Sequence, residues 1–499
     1  MIKTDELENL VGRKADQIMY IMTLMENLKY QLTVGLEVHI ELFTKTKMFC
    51  RCLNDPNEKR PNINICPVCT AQPGALPVIN KEAVKQVLRV GTAIGAKLAD
   101  FTEFDRKNYF YPDIPKGYQI SQYEYPLVAG GILNDVAITR VHLEEDTAKS
   151  WHDDKTGKSF VDFNRSSLPL MELVTEAVIH DAKTAANFAR ELQLLMRYLG
   201  ASEANMEQGQ MRVEANISVS KDPSKLGTKT EVKNLNSFRS VERAIDYEFK
   251  RQVAALEAGE ALVQETRGWD ESKQKTFSQR KKESSHDYRY FPDPDLPKLF
   301  LGQEAEFAEL TATLPELPWL RRARLTGDFG LKSEDVEMYV ADRELGDYVE
   351  AIAFALGNDK TLVQLASNYL TSDLAATRKL KADLVFPSVA SFADLIKLIS
   401  TKDISSRAAK DILALILSEG GEPKVIAEAK GWLQVHDESA VATIVEAVIT
   451  EFPAVFAEFA GGKEASLQFL IGQGMKKGKG AANPELLKKL FSDRAGKGK

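Results

Sequence analysis

The sequence predicts an α+β fold, in which a mixed, cradle-like domain with a largely antiparallel sheet is followed by all-helical C-terminal domains. Two observations predict the first domain: strict period-2 alternation begins at Gln31, and the later elements do not follow a regular strand-helix-strand order. A third predicts the helical part, because strand signals fade beyond about residue 300 while 3.6-residue periodicity continues.

The clearest strand is predicted over Gln31–Leu42, where every second residue is apolar, so that one face is apolar and the other carries acids and an imidazole. Asn80 then caps an amphipathic helix. A second helix begins at Asp181 and ends at Gly200, a residue type that favours the left-handed conformation found after helix ends. Further strands are predicted in short alternating runs broken by Gly, Pro and Asn, at 138–144 and 210–219.

Past a proline-rich segment at 314–319, the pattern is helical. Ser405 or Ser406 is predicted to cap a helix that ends at Gly420, and a second apolar stripe ends before Pro453. The sequence thus predicts four parts: an N-terminal extension that the fold does not need (1–30), an α+β domain (31–300), a helical linker domain (301–400) and a helical tail domain (401–499).

Composition places the chain among ordinary globular proteins. It has 499 residues, of which 44% are hydrophobic and 27% charged, with enough apolar content for a large core and room for about three domains. The formal net charge of -7 excludes a protein that holds nucleic acid through bulk positive charge, so any such contact must come from a local patch. No apolar run approaches the roughly 20 residues of a membrane-spanning helix, and we expect a cytoplasmic protein without membrane contact.

One local basic patch lies at the C-terminus. Residues 475–499 carry seven lysines and one arginine against Glu485 and Asp493, a local charge of +6. Two interpretations are open: a solvated, frayed end, or a contact for a polyanion.

All four cysteines fall within twenty residues, as a CxC pair and a CxxC pair separated by thirteen residues. Two close pairs joined by a loop can bring four thiolates around Zn²⁺, which prefers sulfur ligands in tetrahedral geometry. Because protein would fill all four positions, such a zinc would be structural, and no cysteine would remain as a nucleophile. Four unrelated buried cysteines are the alternative. The residues are Cys50, Cys52, Cys66 and Cys69.

Glu37 and His39 lie two apart on the first predicted strand and therefore project to the same side. On its own, such a pair is more often a satisfied surface pair. Two further segments present acids beside apolar residues: RVHLEED at 140–146, and LPLMELV at 168–174, which contains Glu172. A carboxylate buried without a partner is costly, so an Arg, a Lys or a hard cation such as Mg²⁺ must accompany it.

Longer motifs extend beyond these short patterns. They are VGLEVHIEL (34–42), FDRKNYFYPDIPKGYQISQY (104–123), RVHLEED (140–146), VDFNRSSLPLMELV (161–174), EVKNLNSF (231–238), DYRYFPDPDLP (287–297) and FLIGQGMKKGKGAANPELL (469–487). In these motifs the chain resembles the B subunits of aspartyl/glutamyl-tRNA amidotransferases, the GatB family, from about Thr33 to Leu490.

The resemblance implies an enzyme subunit that acts on misacylated tRNA. In this family ATP and Mg²⁺ serve to phosphorylate the side-chain carboxylate of Glu on tRNA(Gln), or of Asp on tRNA(Asn), and ammonia then displaces the phosphate. Phosphorylation converts a poor leaving group into a good one, and the transferred charge needs neutralisation by metal. Local pattern alone does not favour Glu145 over Glu144 or Asp146. The residues that the resemblance implies for Mg²⁺ and the reacting carboxylate are Glu37, His39, Glu145 and Glu172.

Other polar residues in the shared motifs are implied contacts for phosphate, nucleotide or the aminoacylated end of the tRNA. A polar loop that packs its own aromatics is the alternative. These residues are Arg106, Lys107, Asn108, Tyr109, Gln119, Ser121, Gln122, Arg165, Lys233, Asn234 and Arg289.

The resemblance also implies partners. The chain shows no glycine- and serine-rich amidase signature and no spare cysteine, so ammonia would come from a separate amidase, the family's A subunit, in a heterotrimer that also contains a small C subunit. The four cysteines match a zinc site of some family members. The helical tail resembles the domain that grips the outer body of the aminoacylated tRNA.

The sequence departs from the family pattern NRxGxPL, because Ser167 stands in place of the glycine. If this position has a positive φ, the serine strains the turn just before Glu172. Thr147 and Ala148 likewise stand where Ala and Gly are usual. Neither change removes a proposed ligand.

Two other functions fit parts of the sequence. One is a non-catalytic, zinc-containing tRNA-binding scaffold, and the other is a stand-alone metal hydrolase that needs no ATP. The strand with Glu37 and His39, facing two further acidic segments, argues against the scaffold, since such a face is costly without a cation.

Overall fold

A ten-stranded sheet lies in the first of two compact units, Met1–Leu317 and Pro318–Lys499. This computed structural model of the protein describes residues 29–281, 288–303, 307, 309–380, 385–434, 438–478 and 482–496. Except for Lys29 and Tyr30, the predicted extension 1–30 lies outside the described residues. The two units divide within the proline-rich segment 314–319, past the predicted boundary at residue 300.

The main sheet has the strand order β15-β14-β13-β12-β1-β11-β8-β6-β2, with β7 paired to β8. Among its described pairs only β13 and β14 run parallel, so the prediction of a largely antiparallel sheet is confirmed. The strands are β1 Gln31–Glu41, β2 Lys97–Leu98, β3 Phe101–Thr102, β4 Asp105–Asn108, β5 Tyr118–Ser121, β6 Val128–Ala129, β7 Ile132–Leu133, β8 Val136–Glu145, β9 Lys149–Asp153, β10 Lys158–Asp162, β11 Pro169–Thr175, β12 Met211–Ser220, β13 Thr230–Leu235, β14 Glu265–Asp270, β15 Lys275–Lys281, β16 Phe291–Pro292 and β17 Leu299–Phe300.

Three helices of the described residues pack on this sheet: α1 Lys81–Ala93, α2 Ala182–Tyr198 and α3 Phe238–Glu257. Asn80 and Asp181 cap α1 and α2 as predicted, with side-chain oxygens that accept from backbone N–H groups of the first turn. Gly200 has a φ of 65°, as expected after a helix end. The alternate apolar residues of β1 from Leu32 to Ile40 are at most 7% exposed, so this side of the strand lies in the core.

Helices form the second unit, and with the mixed sheet of the first unit they confirm the predicted α+β fold followed by helical domains. Ser405 caps one of them, and that helix ends at Gly420, which has a φ of 75°. The helices are α4 Pro318–Gly327, α5 Ser333–Ala341, α6 Arg343–Ala355, α7 Lys360–Tyr369 with a π-helical turn at Leu370–Leu374, α8 Ala375–Leu380, α9 Val389–Ser400, α10 Ser406–Glu419, α11 Pro423–Lys430, α12 Glu438–Glu451, α13 Pro453–Ala460, α14 Glu464–Lys477 and α15 Pro484–Arg494.

The last four helices enclose a core of their own. Pro453 begins α13 directly after α12, where the sequence predicts a helix end. Apolar side chains from all four helices meet in one cluster, which includes Val441, Val445, Val448, Phe459, Leu470, Leu487 and Phe491.

Several basic residues of the C-terminal patch are paired with acids of α12. Lys477 Nζ lies 2.6 Å from Glu451, and Lys489 Nζ lies 3.1 Å from Glu438. Arg494 contacts a third acid of the same helix. These pairs offset part of the local positive charge, while the lysines at 479, 497 and 499 lie outside the described residues.

In the described part of the chain, no single helix has the length and apolar character needed to cross a bilayer. Among the helices that the structure describes, only α12 and α13 taken together meet that test, and they are bent by 102° at their junction.

Candidate functional site

One side of the central strands carries a continuous row of ionisable residues. In the register of the sheet, His39 of β1 lies opposite Glu172 of β11 and opposite Arg212 of β12, and Glu172 lies opposite His142 of β8. Opposite residues of antiparallel strands project to the same side at close range. The fold therefore brings four strands that are distant in sequence to one polar face.

His39 is the centre of this face. Its Nε2 lies 3.8 Å from Glu37 Oε1, 3.6 Å from Glu144 Oε1 and 3.4 Å from Glu172 Oε2. His142 Nε2 lies 3.3 Å from Glu172 Oε2. Two trios, Glu37-His39-Glu172 and His142-Glu144-Glu172, each place their ligand atoms within 4.8 Å of one another. Oxygen donors at this spacing, with one imidazole, are suited to a hard divalent cation such as Mg²⁺.

Glu145 does not join this group, which corrects its predicted position. Adjacent residues of a strand point to opposite sides, and Glu145 therefore points away from Glu144. Its carboxylate lies 2.6 Å from Lys116 Nζ and accepts a 2.9 Å hydrogen bond from Ile120 N. Glu144, which the sequence analysis left as an alternative to Glu145, joins the group instead, on the same side of β8 as His142 two residues earlier.

The pKa values of the group reflect its dense negative charge. Burial, together with the charges of Glu172 and Glu214, raises the pKa of Glu37 to about 7. Burial alone would lower the pKa of His39, but its hydrogen bond to Glu172 and the nearby carboxylates outweigh this effect and raise that pKa to about 9. Burial likewise disfavours the charge of Glu172, yet the adjacent imidazoles, His142 first, hold its pKa well below the usual value.

A lysine and several aromatic rings border the cluster formed by Glu37, His39, His142, Glu144 and Glu172. Lys107 Nζ lies 4.0 Å from Glu144 Oε2 and 5.3 Å from the centre of the Tyr288 ring. Burial opposes the charge of Lys107, but the carboxylates, Glu144 first, raise its pKa above the usual value. Tyr109 makes an edge contact with Tyr288, and Tyr290 stacks on Tyr123 at 4.4 Å between ring centres. Cation and aromatic surfaces of this kind suit a nucleotide.

A buried ion-pair network adjoins the cluster. Asp146 is 4% exposed and accepts hydrogen bonds of 2.6 Å from Arg165 and 2.8 Å from Arg212. Arg165 also contacts Glu41 on β1. Burial alone would raise the pKa of Asp146, but the two guanidinium groups lower it to about 2. Arg165, a predicted substrate contact, thus links Glu41 of β1 to Asp146, which directly follows β8 and also binds Arg212 of β12.

The remaining candidates of the β4–β5 region are engaged within the protein. Arg106 Nε lies 2.9 Å from Asp293, and its guanidinium stacks over the Tyr118 ring. Asn108 donates to the carbonyl oxygen of Arg289 at 2.7 Å. Gln119 Nε2 donates to the Glu145 carbonyl, Gln122 Oε1 accepts from Leu143 N, and Ser121 Oγ lies 3.2 Å from Glu144 Oε2. Of this group, Ser121 touches the cluster directly.

Lys233 and Asn234 lie at the other edge of the polar face. Lys233 Nζ is 2.8 Å from Glu214 and 3.7 Å from Glu231, which with Glu37 form a further group of acids within 4.8 Å. Asn234 is exposed and has a φ of 66°, and Arg289 has a φ of 45°. The structure therefore brings Lys233 near the cluster and leaves the Asn234 side chain at the surface.

The four cysteines form a separate cluster. Their sulfur atoms all lie within 4.8 Å of one another, and no disulfide joins them. A hydrogen bond from Cys50 lowers the pKa of the Cys69 thiol to about 5, whereas burial raises that of Cys52 to about 12. Four sulfur donors at this spacing fit a tetrahedral Zn²⁺ site.

The turn 164–167 lies just before β11 and is hydrogen-bonded to the cysteine loop, the segment 50–69 that carries the four cysteines. Asn164 Oδ1 accepts from Ile63 N and Asn64 N at 2.8 and 2.9 Å, and Ser166 Oγ donates to the Cys69 carbonyl at 3.0 Å. Ser167 has a φ of 69°, so the residue that replaces the usual glycine does adopt the left-handed conformation.

Ser167→Gly is expected to stabilise the protein. A non-glycine residue costs about 1–2 kcal/mol in this conformation, and glycine loses about 0.5–1 kcal/mol in backbone entropy on folding, so the net gain should be about 0.5–1 kcal/mol in the free energy of unfolding. Urea unfolding at unchanged m-value would measure it. Ser166→Gly, at a position without positive φ, should destabilise instead; a loss in both variants would contradict the expected strain at Ser167.

Comparisons with known proteins identify the family of the chain. Residues 32–306 match the GatB/GatE catalytic domain, and residues 347–494 match a second GatB domain. A protein of Picosynechococcus sp., named as the B subunit of aspartyl/glutamyl-tRNA(Asn/Gln) amidotransferase, is 41% identical over 490 residues, covering 93% of this chain and 98% of that protein. A protein of the same name from Thermomicrobium roseum is 42% identical over 480 residues, covering 93% and 99%.

These matches define the class of protein: one component of a multi-subunit amidotransferase, which is a carbon-nitrogen ligase. The chain belongs to the GatB family, and the family prediction made from its motifs is confirmed.

Proposed function

We propose that the polar face phosphorylates the side-chain carboxylate of Glu-tRNA(Gln), Asp-tRNA(Asn) or both, with ATP as phosphoryl donor, and that ammonia then displaces the phosphate to give the amide. The observation that supports this most is the convergence of Glu37, Glu144 and Glu172 on His39, beside Lys107. A carboxylate cannot be amidated directly because its oxygen is a poor leaving group, and phosphorylation supplies a good one.

Glu37, His39, Glu144 and Glu172 are the residues that would hold Mg²⁺. When bound there, Mg²⁺ would neutralise charge on the phosphoryl group. His142 keeps the Glu172 carboxylate ionised and oriented. Lys107, ionised and half-enclosed by tyrosines, would hold a phosphate oxygen of ATP, and the rings of Tyr288 and Tyr290 would border the nucleotide. Lys233 would contribute a second positive charge at the edge of the site.

The cysteine cluster would hold one structural Zn²⁺ and take no part in the chemistry. The relatives are named as B subunits, which implies that this chain works in a multi-subunit enzyme. We propose a cytoplasmic heterotrimer in which the amidase, or A subunit, supplies ammonia and a small C subunit completes the assembly. Helical regions at 301–400 and 401–499 would serve as linker and as tRNA-binding tail.

Consumption of ATP by the purified protein with Mg²⁺ tests this function. Glu-tRNA(Gln) and Asp-tRNA(Asn) are each compared with the same tRNA uncharged, and at least one charged tRNA should stimulate ATP hydrolysis at least about 10-fold, since only the charged end offers the acceptor carboxylate. Equal rates with charged and uncharged tRNA would favour the non-catalytic tRNA scaffold. Turnover of a simple ester or amide without ATP would favour the metal hydrolase.

A further inference from the structure

Lys47 is a fully buried lysine at the cysteine cluster. Lys47 is 0% exposed, and its Nζ lies 3.7 Å from Cys69 Sγ and 3.1 Å from the Phe163 carbonyl oxygen. Lysine is almost never buried completely unless its charge is compensated. The proposed function does not use this residue, so its burial needs a separate explanation.

The usual compensation for a buried lysine is a carboxylate, and the described part of the chain offers none to Lys47. Among the residues that the structure describes, no carboxylate oxygen lies within 4.0 Å of its Nζ, and its two polar contacts are a sulfur and a neutral carbonyl. A neutral carbonyl cannot balance an ammonium group, and burying an unpaired charge is strongly unfavourable. Negative charge on the sulfur side of the contact would supply the missing compensation.

A metal centre made of four thiolates would carry it. Cysteine ligands bind metal in the deprotonated form, so four of them around one Zn²⁺ leave a net charge of -2. Hydrogen bonds from a charged donor to an anionic acceptor are about twice as strong as neutral ones. The contact between Lys47 Nζ and Cys69 Sγ has the donor and acceptor that such a bond requires.

We propose that Lys47 is the counter-cation of a tetrathiolate metal centre formed by Cys50, Cys52, Cys66 and Cys69, and that retention of the metal depends on its N–H to sulfur contact. This inference rests on the zinc site of the proposed function. It also gives the contact with Phe163 a role, because the same ammonium ties the cysteine loop to the segment that precedes β11.

Lys47→Met tests the proposal, since methionine has a similar length and no charge. Lys45→Met is the matched control, because Lys45 is exposed in the same loop. Full-length proteins are loaded with Zn²⁺, and the transfer of metal to a chromogenic chelator is followed over time. Loss of a residue that supports a metal ligand typically costs about 10- to 100-fold in affinity, and we expect release to be faster by about this factor in Lys47→Met only.

A second readout does not depend on enzyme activity. Removal of zinc from the wild type leaves the Lys47 charge buried without its counter-charge, so the melting temperature should fall more in the wild type than in Lys47→Met. If Lys47→Met does not fold, Lys47→Leu, whose side chain has neither a charge nor an N–H donor, replaces it in both measurements.

The outcomes separate the two proposals. A wild type that binds no stoichiometric zinc overturns the zinc site, and the Lys47 inference with it. A wild type that binds zinc, compared with Lys47 variants that release it at the wild-type rate, overturns the role of Lys47 alone.

Discussion

Glu172→Gln is expected to reduce ATP-dependent phosphorylation of the aminoacyl carboxylate by about 10²- to 10³-fold or more, the loss typical when one preorganised charge-stabilising group is removed. Glu172 contacts both His39 and His142, so its carboxylate belongs to both trios of the cluster. Glutamine keeps the shape of the side chain but removes the charge that the two imidazoles and a divalent cation require. Transfer of the γ-phosphate from labelled ATP measures the effect.

Binding of the tRNA should remain within about 2-fold of the wild type, because its affinity is expected to come mainly from phosphate contacts outside this cluster. Glu176→Gln is the matched control, since Glu176 follows the same strand and is exposed. That variant should keep wild-type phosphorylation. If Glu172→Gln lost tRNA binding and phosphorylation to the same extent, its carboxylate would serve folding rather than chemistry.

The sequence is sufficient for those parts of the site in which one strand decides the geometry. The direction of side chains in a strand is fixed by the backbone, so two-residue spacing places Glu37 and His39 on one side. The same rule places His142 and Glu144 on one side of β8. Glu145 was chosen by resemblance to the family and not by this periodicity, and the structure places it on the opposite side of β8.

Pairing between distant strands is not contained in any local pattern. The sequence interpretation did not include Arg212 and Glu214, because their proximity to β1 depends on the register of β1 with β12. Charged residues look alike in a sequence whether they are solvated or buried. The ion pairs of Asp146 and the contact of Lys47 with Cys69 therefore become visible only in the folded chain.

The backbone strain at Ser167 could be predicted from the sequence only in part. The sequence could state the condition under which Ser167 is strained, since only glycine adopts positive φ without cost. The sequence could not give the value of φ, because hydrogen bonds of the Ser167 backbone to two distant segments impose it. Ser167 N donates to the Asp146 carbonyl, and the Ser167 carbonyl accepts from Met48 N.

Asp146→Asn is expected to lower the free energy of unfolding at neutral pH by about 3–5 kcal/mol, because removing one partner of a buried ion pair leaves the others uncompensated. Asp146 is the shared acceptor of Arg165 and Arg212, and among the described residues Glu41 is the other acid in contact with Arg165. Urea unfolding measures the change. Asp154→Asn, at an exposed turn residue, is the control and should change stability by less than about 0.5 kcal/mol.

The pH dependence of the difference in unfolding free energy between the wild type and Asp146→Asn identifies the cause of that difference. The pKa of Asp146 is lowered in the folded protein to about 2 from an ordinary value of 3.8, so its stabilising contribution is complete above pH 3.8 and is lost as the pH falls through 2. Asparagine does not titrate, so the gap between wild type and Asp146→Asn should narrow by about 1 kcal/mol between pH 5 and pH 3. A gap of constant size over this interval would show that the loss comes from altered packing, because between pH 5 and pH 3 an ion pair must lose stability as the unfolded chain takes up the proton that the folded Asp146 still excludes.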